Sequence, residues 1–272
     1  MDTVQAKFSA KDVMALRQKT GLGMMDCKKA LGACDGDMAA AEEWLRAKLK
    51  GKMDKRTERP AAEGRIGIVI DGSSAAIVEL RTETDFTARN DQFVAAVGDI
   101  AQAALTLTAG PVAASEQIDK LVDTIRITTG ENASFARGEK IEGGAFGSYV
   151  HHNGKKAALL QIEGHADKEV LTGVCMHIVA HVPPPIAIDE NDVPAETIER
   201  IKTEALQAAR ESGKPDEIAA KIAEGKVRKH LQQTTLLNQM YIKDPSGKTP
   251  VKSVLPQGVT IKRFVRYVVG ID

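Results

Sequence analysis

Residues 64–80 read GRIGIVIDGSSAAIVEL, and residues 147–162 read GSYVHHNGKKAALLQI. Each stretch consists of two β-forming runs joined by a turn dipeptide, Asp71-Gly72 in the first and Asn153-Gly154 in the second. These dipeptides tolerate the positive φ angles of a type I′ turn. Each stretch therefore predicts a β-hairpin.

The neighbours of the two hairpins follow the same order. A helical pattern comes after each hairpin, over residues 91–107 and 168–181. One more strand is predicted in each half, over residues 132–141 and 259–269. The repeated order predicts an α+β fold with a duplicated core, in which helices pack on small antiparallel sheets.

The residues before the first hairpin predict a compact unit of three short helices. Ser9 and Asp12 form a capping-box-like start, and residues 35–37, Asp-Gly-Asp, end the second helix and cap the third. Apolar residues recur at helical spacing throughout: Val13, Leu16, Cys27, Ala30, Leu31, Ala41, Trp44 and Leu45. We assign residues 1–52 to this N-terminal three-helix domain.

A basic run follows the three helices. Residues 46–59, RAKLKGKMDKRTER, carry seven basic and two acidic side chains, a local charge of +5, with almost no apolar content. We interpret the run as a solvated linker, placed at residues 53–63 in the domain division, because a charge run without interleaved aromatic residues is usually solvent-exposed. Contact with RNA or an acidic partner is the alternative.

Residues 187–232 are predicted to form an αα-hairpin inserted into the second half of the core. The apolar residues of its two helices are Ile198, Ile201, Ala205 and Ala208, then Ile218, Ile222 and Leu231, on either side of Gly213-Lys-Pro215. Packing of the two helices on each other, or a homodimer through the hairpin, would cover this stripe. The core then divides into an N-subdomain, residues 64–146, and a C-subdomain, residues 147–186 and 233–272.

The composition excludes several classes of protein. The 272 residues contain 37 basic and 37 acidic side chains, and this balance disfavours direct nucleic-acid binding, which depends on clustered positive charge. No apolar run reaches 18 residues and no secretory signal opens the chain, so we predict no membrane contact and a cytoplasmic location. The three cysteines, Cys27, Cys34 and Cys175, do not predict a disulfide framework.

Catalytic and metal-binding motifs receive little support. Residues 143–148 lack the Gly-Lys-Ser/Thr of a phosphate-binding loop. His177 and His181 are four residues apart on a predicted helix, the spacing of two metal ligands, but no glutamate of a zincin motif lies between them. We favour one packed and one exposed histidine, and we predict no catalytic residue, metal or cofactor. A metal-dependent enzyme built on these histidines stays an alternative.

Residues 83–93, ETDFTARNDQF, are the most unusual stretch of the chain. Its carboxylates lack the order of a calcium-binding loop. Asp91 is predicted to be the N-cap of the following helix and Phe93 a core residue. This leaves Asp85 and Phe86 at a predicted loop tip, where a carboxylate beside an apolar ring suits entry into a pocket of a partner.

Three stretches resemble the signature segments of the bacterial translation elongation factor Ts family: LRQKTGLGMMDCKKAL (16–31), GDMAAAEEWLR (36–46) and TDFTARNDQF (84–93). Further matching segments follow in the family's order: GSYVHHNGKKAALLQI, CMHIVAHVPP and ESGKPDEIAAKIAEGKVRK. The resemblance implies a guanine-nucleotide exchange factor for elongation factor Tu that acts by protein binding rather than as an enzyme. It also implies that the N-terminal domain is similar to ubiquitin-associated (UBA) domains.

The resemblance also implies roles for particular residues. Those matching the segment that displaces magnesium from the GTPase are Thr84, Asp85, Phe86 and Thr87. Those matching partner-binding positions are Arg17, Met24 and Met25 in the N-terminal domain, and Gly130 and His177 in the core. The implied partner is elongation factor Tu, both GDP-bound and nucleotide-free. The sequence ends at Asp272, just after the last predicted strand, so a partner contact made by the C-terminal helical module of some members is not assumed for this chain.

A different class of function stays open beside this one. The three-helix unit and the basic linker would also suit a UBA-like or ribosome-associated adaptor. An adaptor needs only these N-terminal residues for partner binding, whereas an exchange factor also requires Asp85 and Phe86.

Overall fold

A computed structural model describes residues 8–54 and 56–271 of the chain. The predictions made for residues 1–7, Lys55 and Asp272 lie outside the described residues. The chain forms two compact units, one of residues up to 69, 76–140 and from 269, the other of residues 70–75 and 141–268.

The hairpin, the helix after it and the last strand of each half follow one another in the predicted order, and the first half also contains an unpredicted strand, Gly110–Pro111, and an unpredicted helix, Glu116–Thr129. Through the first half they are α1 (Ala10–Thr20), α2 (Met24–Ala33), α3 (Met38–Asp54), β1 (Glu63–Asp71), β2 (Ser74–Thr82), α4 (Asp85–Arg89), α5 (Asp91–Leu105), β3 (Gly110–Pro111), α6 (Glu116–Thr129) and β4 (Ala133–Glu142). Through the second half they are β5 (Ala145–Val150), β6 (Lys156–Glu163), α7 (Lys168–Ala180), α8 (Ala195–Glu211), α9 (Asp216–Thr234) and β7 (Thr260–Val268), with 3-10 turns at Glu190–Asp192, Leu236–Asn238 and Val251–Ser253. Both hairpins, the helices after them and the last strand of each half are confirmed.

Local hydrogen bonds define the three N-terminal helices. The Ser9 hydroxyl accepts from the Asp12 N–H and the Asp12 carboxylate accepts from the Ser9 N–H, which completes the predicted capping box of α1. Asp37 caps α3, since its Oδ1 accepts from the N–H groups of Ala39 and Ala40 at 2.8 and 3.0 Å. A small core lies between the helices, formed by Val13, Leu16, Cys27, Ala30, Leu31, Ala41 and Leu45. The predicted three-helix unit is therefore confirmed.

Helix α3 is longer than the sequence pattern predicts. The interpretation of residues 46–59 as a solvated linker is wrong for residues 46–54, which continue α3 to Asp54. Alanine, leucine, lysine and methionine are strong helix formers, and Met53 is only 5% exposed. An ion pair of 2.7 Å between Lys50 Nζ and Asp123 Oδ2 also joins α3 to α6.

Each half of the core contains one antiparallel sheet with helices packed on it. The first sheet has the order β1-β2-β4-β3, and the second has the order β5-β6-β7. In the first, the buried cluster includes Val78, Leu80, Phe93, Val97, Ile100, Ile118, Val122 and Ile125. In the second, it includes Leu160, Ile162, Leu171, Val174, Ile178, Leu236 and Val251.

A glycine in the first strand of each hairpin repeats the same packing. A Cβ on Gly67 of β1 would lie 2.6 Å from Val97 Cγ1 of α5, and a Cβ on Gly147 of β5 would lie 2.5 Å from Leu171 Cβ of α7. Both distances are shorter than van der Waals contact. A residue without a side chain therefore lets α5 approach the first sheet and α7 approach the second.

The inserted helices α8 and α9 pack on each other through small side chains. Ala205 and Ala209 of α8 and Ala219 and Ala223 of α9 are buried. Two residues of the predicted stripe are exposed: Ala208 in α8, where Ala209 is buried in its place, and Ile218 in α9, which is 46% exposed. The α8 end is closed at Gly213, whose φ is +72°, and the Lys214 N–H donates to the Ala209 carbonyl at 3.1 Å.

Candidate functional site

Residues 84–87 form a capped helical turn instead of the predicted loop tip. Thr84 is the N-cap of α4, and its Oγ1 accepts from the Thr87 N–H at 3.3 Å. Thr87 and Ala88 are buried, so the inner side of the turn is anchored. Phe86 points the other way and is 84% exposed.

Phe86 differs from the other phenylalanines of the chain. All six lie within the described residues, and the other five are buried or half-buried. A ring is normally placed in a core or an interface because of the apolar area that it buries. An exposed ring on an anchored turn is therefore suited to contact with another molecule.

The boundary between α4 and α5 differs from the prediction by one residue. Asn90 is the N-cap of α5, since its Oδ1 accepts from the Gln92 N–H at 2.8 Å. The prediction that Asp91 is the cap is wrong; Asp91 lies in the first turn, where its charge favours the helix dipole. Phe93 is completely buried, as predicted.

Asp85 forms an exposed ion pair beside Phe86. Its Oδ2 accepts from Arg89 Nη2 at 2.9 Å, one helical turn away. Exposed pairs of this kind contribute little to stability, typically about 0.3–0.5 kcal/mol. Asp85 is therefore free to exchange Arg89 for another charged or polar group at small cost.

Glu131 was missed by the sequence reasoning, and it binds the start of this turn. Its Oε1 accepts from the Thr84 hydroxyl at 2.7 Å, and its Oε2 accepts from the Thr84 N–H at 3.1 Å and the Thr82 hydroxyl at 2.9 Å. Burial raises the pKa of Glu131, but hydrogen bonds from Thr84, Thr87 and Thr82 together outweigh burial and lower the pKa below its usual value. Glu131 therefore stays ionised near neutral pH.

Gly130 lies directly beside this contact. It ends α6 with a φ of +72°, its N–H donates to the Arg126 carbonyl at 3.0 Å, and its carbonyl accepts from Arg56 Nη1. Because Glu131 follows it in the chain, the structure places the predicted partner-binding Gly130 next to the Thr84–Thr87 turn.

The N-terminal candidates lie on the exposed side of the three-helix unit. Arg17 is exposed, and Met24 and Met25 are 46% and 63% exposed at the start of α2. The loop before them packs on the core, because a Cβ on Gly21 would lie 3.1 Å from Gln92 Nε2 in α5. Met24 and Met25 thus follow a loop that contacts α5.

His177 is placed differently from the other candidates. It belongs to the second compact unit and is completely buried in α7. Its Nδ1 accepts from the Ile242 N–H at 3.1 Å, and its Nε2 is 2.9 Å from Gln239 Oε1. The prediction of one packed and one exposed histidine is confirmed for His177, whereas His181 is half-buried rather than exposed.

The histidines do not offer the arrangement of a metal centre. Both ring nitrogens of His177 are already used in hydrogen bonds. Within residues 8–54 and 56–271, no group of three or more His, Cys, Asp or Glu side chains is placed to hold a metal ion. The same part of the chain contains no helix long and apolar enough to cross a membrane.

An apolar ring exposed on an anchored turn and two exposed methionines at the start of α2 form the kind of surface that suits docking onto a partner protein. Comparison with known proteins gives the family. A family model described as "Elongation factor TS" matches residues 83–271, and one described as "Elongation factor Ts, mitochondrial, N-terminal" matches residues 2–52. The chain belongs to the elongation factor Ts family.

Individual relatives match over nearly the whole chain. The protein named elongation factor Ts from Azoarcus sp. (strain BH72) is 40% identical over 97% of this chain and 91% of its own length. Those from Paracidovorax citrulli and Zymomonas mobilis are 38% and 36% identical, each over 97% of this chain and over 91% and 93% of their own lengths. The predicted family and fold class are thereby confirmed.

Proposed function

We propose that the chain binds elongation factor Tu in its GDP-bound and nucleotide-free forms and promotes the exchange of GDP for GTP. Membership of the elongation factor Ts family supports the partner and the exchange role. The observation that carries the mechanism is the 84% exposure of Phe86 on a turn whose inner side is buried. The action is by protein binding in the cytoplasm, without a covalent step.

The physical chemistry of nucleotide release fits such a turn. A GTPase holds GDP largely through a magnesium ion and a loop around the phosphates, so disturbing either speeds release. Phe86 inserts between partner side chains, while Asp85 leaves Arg89 and perturbs the groups that order the magnesium-bound waters. Each tenfold gain in the release rate requires a barrier lowered by about 1.36 kcal/mol, which a few buried contacts supply.

The other candidates divide into direct and indirect contacts. Arg17, Met24, Met25 and Gly130 are proposed to bind the GTPase, and flexible methionine side chains suit an adaptable surface. His177 is completely buried, so we propose that it acts by holding α7 and the loop around Gln239 in place.

The test is stopped-flow release of a fluorescent GDP from elongation factor Tu at fixed magnesium. We expect the wild-type chain to accelerate release strongly and Phe86→Ala to lose about tenfold or more of that acceleration, because the apolar insertion is lost. Asp85→Ala is expected to lose less of the acceleration than Phe86→Ala, because an exposed charge contributes less to a contact than an aromatic ring that becomes buried.

The matched control is Ile70→Ala, which removes an apolar side chain that is 40% exposed on β1. This variant should accelerate GDP release from elongation factor Tu as much as the wild-type chain does. Equal losses in Ile70→Ala and Phe86→Ala would contradict a specific role for the turn, and a well-folded wild-type chain that leaves the release rate unchanged would refute exchange on this partner.

A further inference from the structure

The Thr84–Thr87 turn cannot hold its shape by itself. Helix α4 contains five residues, whereas isolated helices shorter than about 12 residues are marginal in water. Phe86 makes little contact with its own chain, so its direction is set by the backbone of the turn. Together with the burial of Thr87 and Ala88, the groups that fix Thr84, the cap of the turn, therefore set the direction of the ring.

Glu131 binds Thr84 through both carboxylate oxygens. Oε1 accepts from the Thr84 hydroxyl, and Oε2 accepts from the Thr84 N–H. A threonine hydroxyl has a single proton to donate. Donating it to Glu131 leaves the oxygen lone pairs for the Thr87 N–H, so Glu131 orients the hydroxyl for its capping hydrogen bond.

A second glutamate makes the reciprocal contact. The Asn132 N–H donates to Glu83 Oε1 at 2.6 Å, while Glu131 accepts from Thr82 and Thr84 on either side of Glu83. Each of the two segments, the one after α6 and the one before α4, thus supplies a carboxylate that accepts hydrogen bonds from the other. Such paired, charge-assisted hydrogen bonds define one relative placement of the two segments.

We propose that Glu131 is a positioning residue for nucleotide exchange: by binding Thr84 on both oxygens it holds the α4 turn in the orientation from which Phe86 reaches the partner. The proposal rests on the proposed function of the Thr84–Thr87 turn. Glu131 itself acts through Thr84 and needs no contact with the nucleotide or the magnesium ion.

The experiment measures the release of fluorescent GDP from elongation factor Tu as a function of chain concentration. It compares the wild type with Glu131→Ala, Glu131→Gln, Phe86→Ala and the double variant Phe86→Ala/Glu131→Ala. We expect Glu131→Ala to lower the maximal release rate about tenfold, with the half-saturating concentration changed less than about twofold, because the other contact surfaces remain. Glu131→Gln should retain part of the rate, since the amide keeps one accepting oxygen.

The double variant separates positioning from a general loss of stability. If Glu131 acts through Phe86, the double variant is no slower than Phe86→Ala alone. The matched control is Glu116→Ala, which removes an exposed carboxylate at the start of α6. This variant should accelerate GDP release from elongation factor Tu as much as the wild type does. Should Glu131→Ala melt at the assay temperature, Glu131→Gln and its double variant with Phe86→Ala carry the same comparison.

Amide hydrogen exchange provides a readout without the partner. The Thr87 and Ala88 N–H groups bond to Thr84 Oγ1 and to the Thr84 carbonyl, so they should exchange faster in Glu131→Ala while those in the middle of α5 are unchanged. The proposal would be overturned if both Glu131 variants accelerate GDP release as the wild type does. It would also be overturned if the fold-loss of the double variant equals the product of the fold-losses of Phe86→Ala and Glu131→Ala. If the wild-type chain does not accelerate GDP release from elongation factor Tu, the proposed function is refuted. If amide exchange at Thr87 and Ala88 is the same in Glu131→Ala as in the wild type, the positioning role alone is refuted.

Discussion

At the scale of single residues, His177 shows how the chain keeps a titratable ring inside a core. The Ile242 N–H occupies Nδ1, so the proton of the neutral ring is on Nε2 and is donated to Gln239 Oε1. The Gln239 side-chain N–H groups donate in turn to the carbonyls of Pro183 and Gln233, at 3.0 and 2.6 Å. Every polar group of this small network is satisfied with His177 neutral.

The stability of the chain should therefore depend on His177 in mildly acidic solution. The pKa of His177 is lowered from 6.5 to about 4, mainly by burial and to a smaller extent by the neighbouring His181, against the opposing effect of the hydrogen bond to Gln239. The groups facing the ring are His181 and Tyr241. Between pH 6.5 and 4 the unfolded chain binds a proton that the folded chain does not, so the free energy of unfolding falls as the pH falls, by roughly 3 kcal/mol in total.

Urea unfolding at several pH values measures this dependence. His177→Gln, which cannot titrate, is expected to be less stable near neutral pH but to lose less stability between pH 6.5 and 4. Identical slopes in the wild type and His177→Gln would show that His177 does not titrate as proposed.

Single residues also mark where the sequence stops being informative. The caps at Ser9 and Asp37 and the buried Phe93 were predicted because their partners lie within a few residues. Glu131 was not, because it meets Thr84 across 47 residues of chain and no local pattern links them. The candidate turn is thus partly predictable, whereas the group that holds it requires the tertiary structure.

At the scale of elements, the two strand glycines make a direct test of the packing. Gly147→Ala should lower the free energy of unfolding by about 1–3 kcal/mol, because its Cβ would lie 2.5 Å from Leu171 Cβ and β5 or α7 must move. The measurement is urea unfolding.

The control for this change is Gly225→Ala in α9. Apart from its chain neighbours and the backbone of its own helix, nothing lies within 4 Å of a Cβ at Gly225. Alanine should raise the free energy of unfolding by about 0.5–1 kcal/mol. Equal effects of the two substitutions would contradict the close approach of α7 to β5.

Elements were predictable where the signal is local. Both hairpins follow from their turn dipeptides, and the helices after them from apolar periodicity. Helix α6 was missed although Ser115 caps it and Ile118, Val122 and Ile125 recur at helical spacing. The end of α3 was missed because its charged residues hide the burial of Met53, which only tertiary packing provides.

At the scale of the whole molecule, exchange is a coupling between two ligands of the GTPase. If the chain weakens GDP on elongation factor Tu by some factor, GDP weakens the chain on elongation factor Tu by the same factor. One titration compares the affinity of the chain for nucleotide-free and for GDP-bound Tu. A second compares the affinity of GDP for free and for chain-bound Tu. The two affinity ratios should be equal. An effect on the release rate with no change in either affinity would contradict this coupling.

The most direct measurement is the rate of fluorescent GDP release from elongation factor Tu, with and without the wild-type chain, at millimolar magnesium and again in excess chelator. We expect strong acceleration with magnesium present and a smaller relative gain in chelator, because the ion that we propose the turn displaces is already gone. An unchanged release rate with a folded wild-type chain at millimolar magnesium would contradict the account.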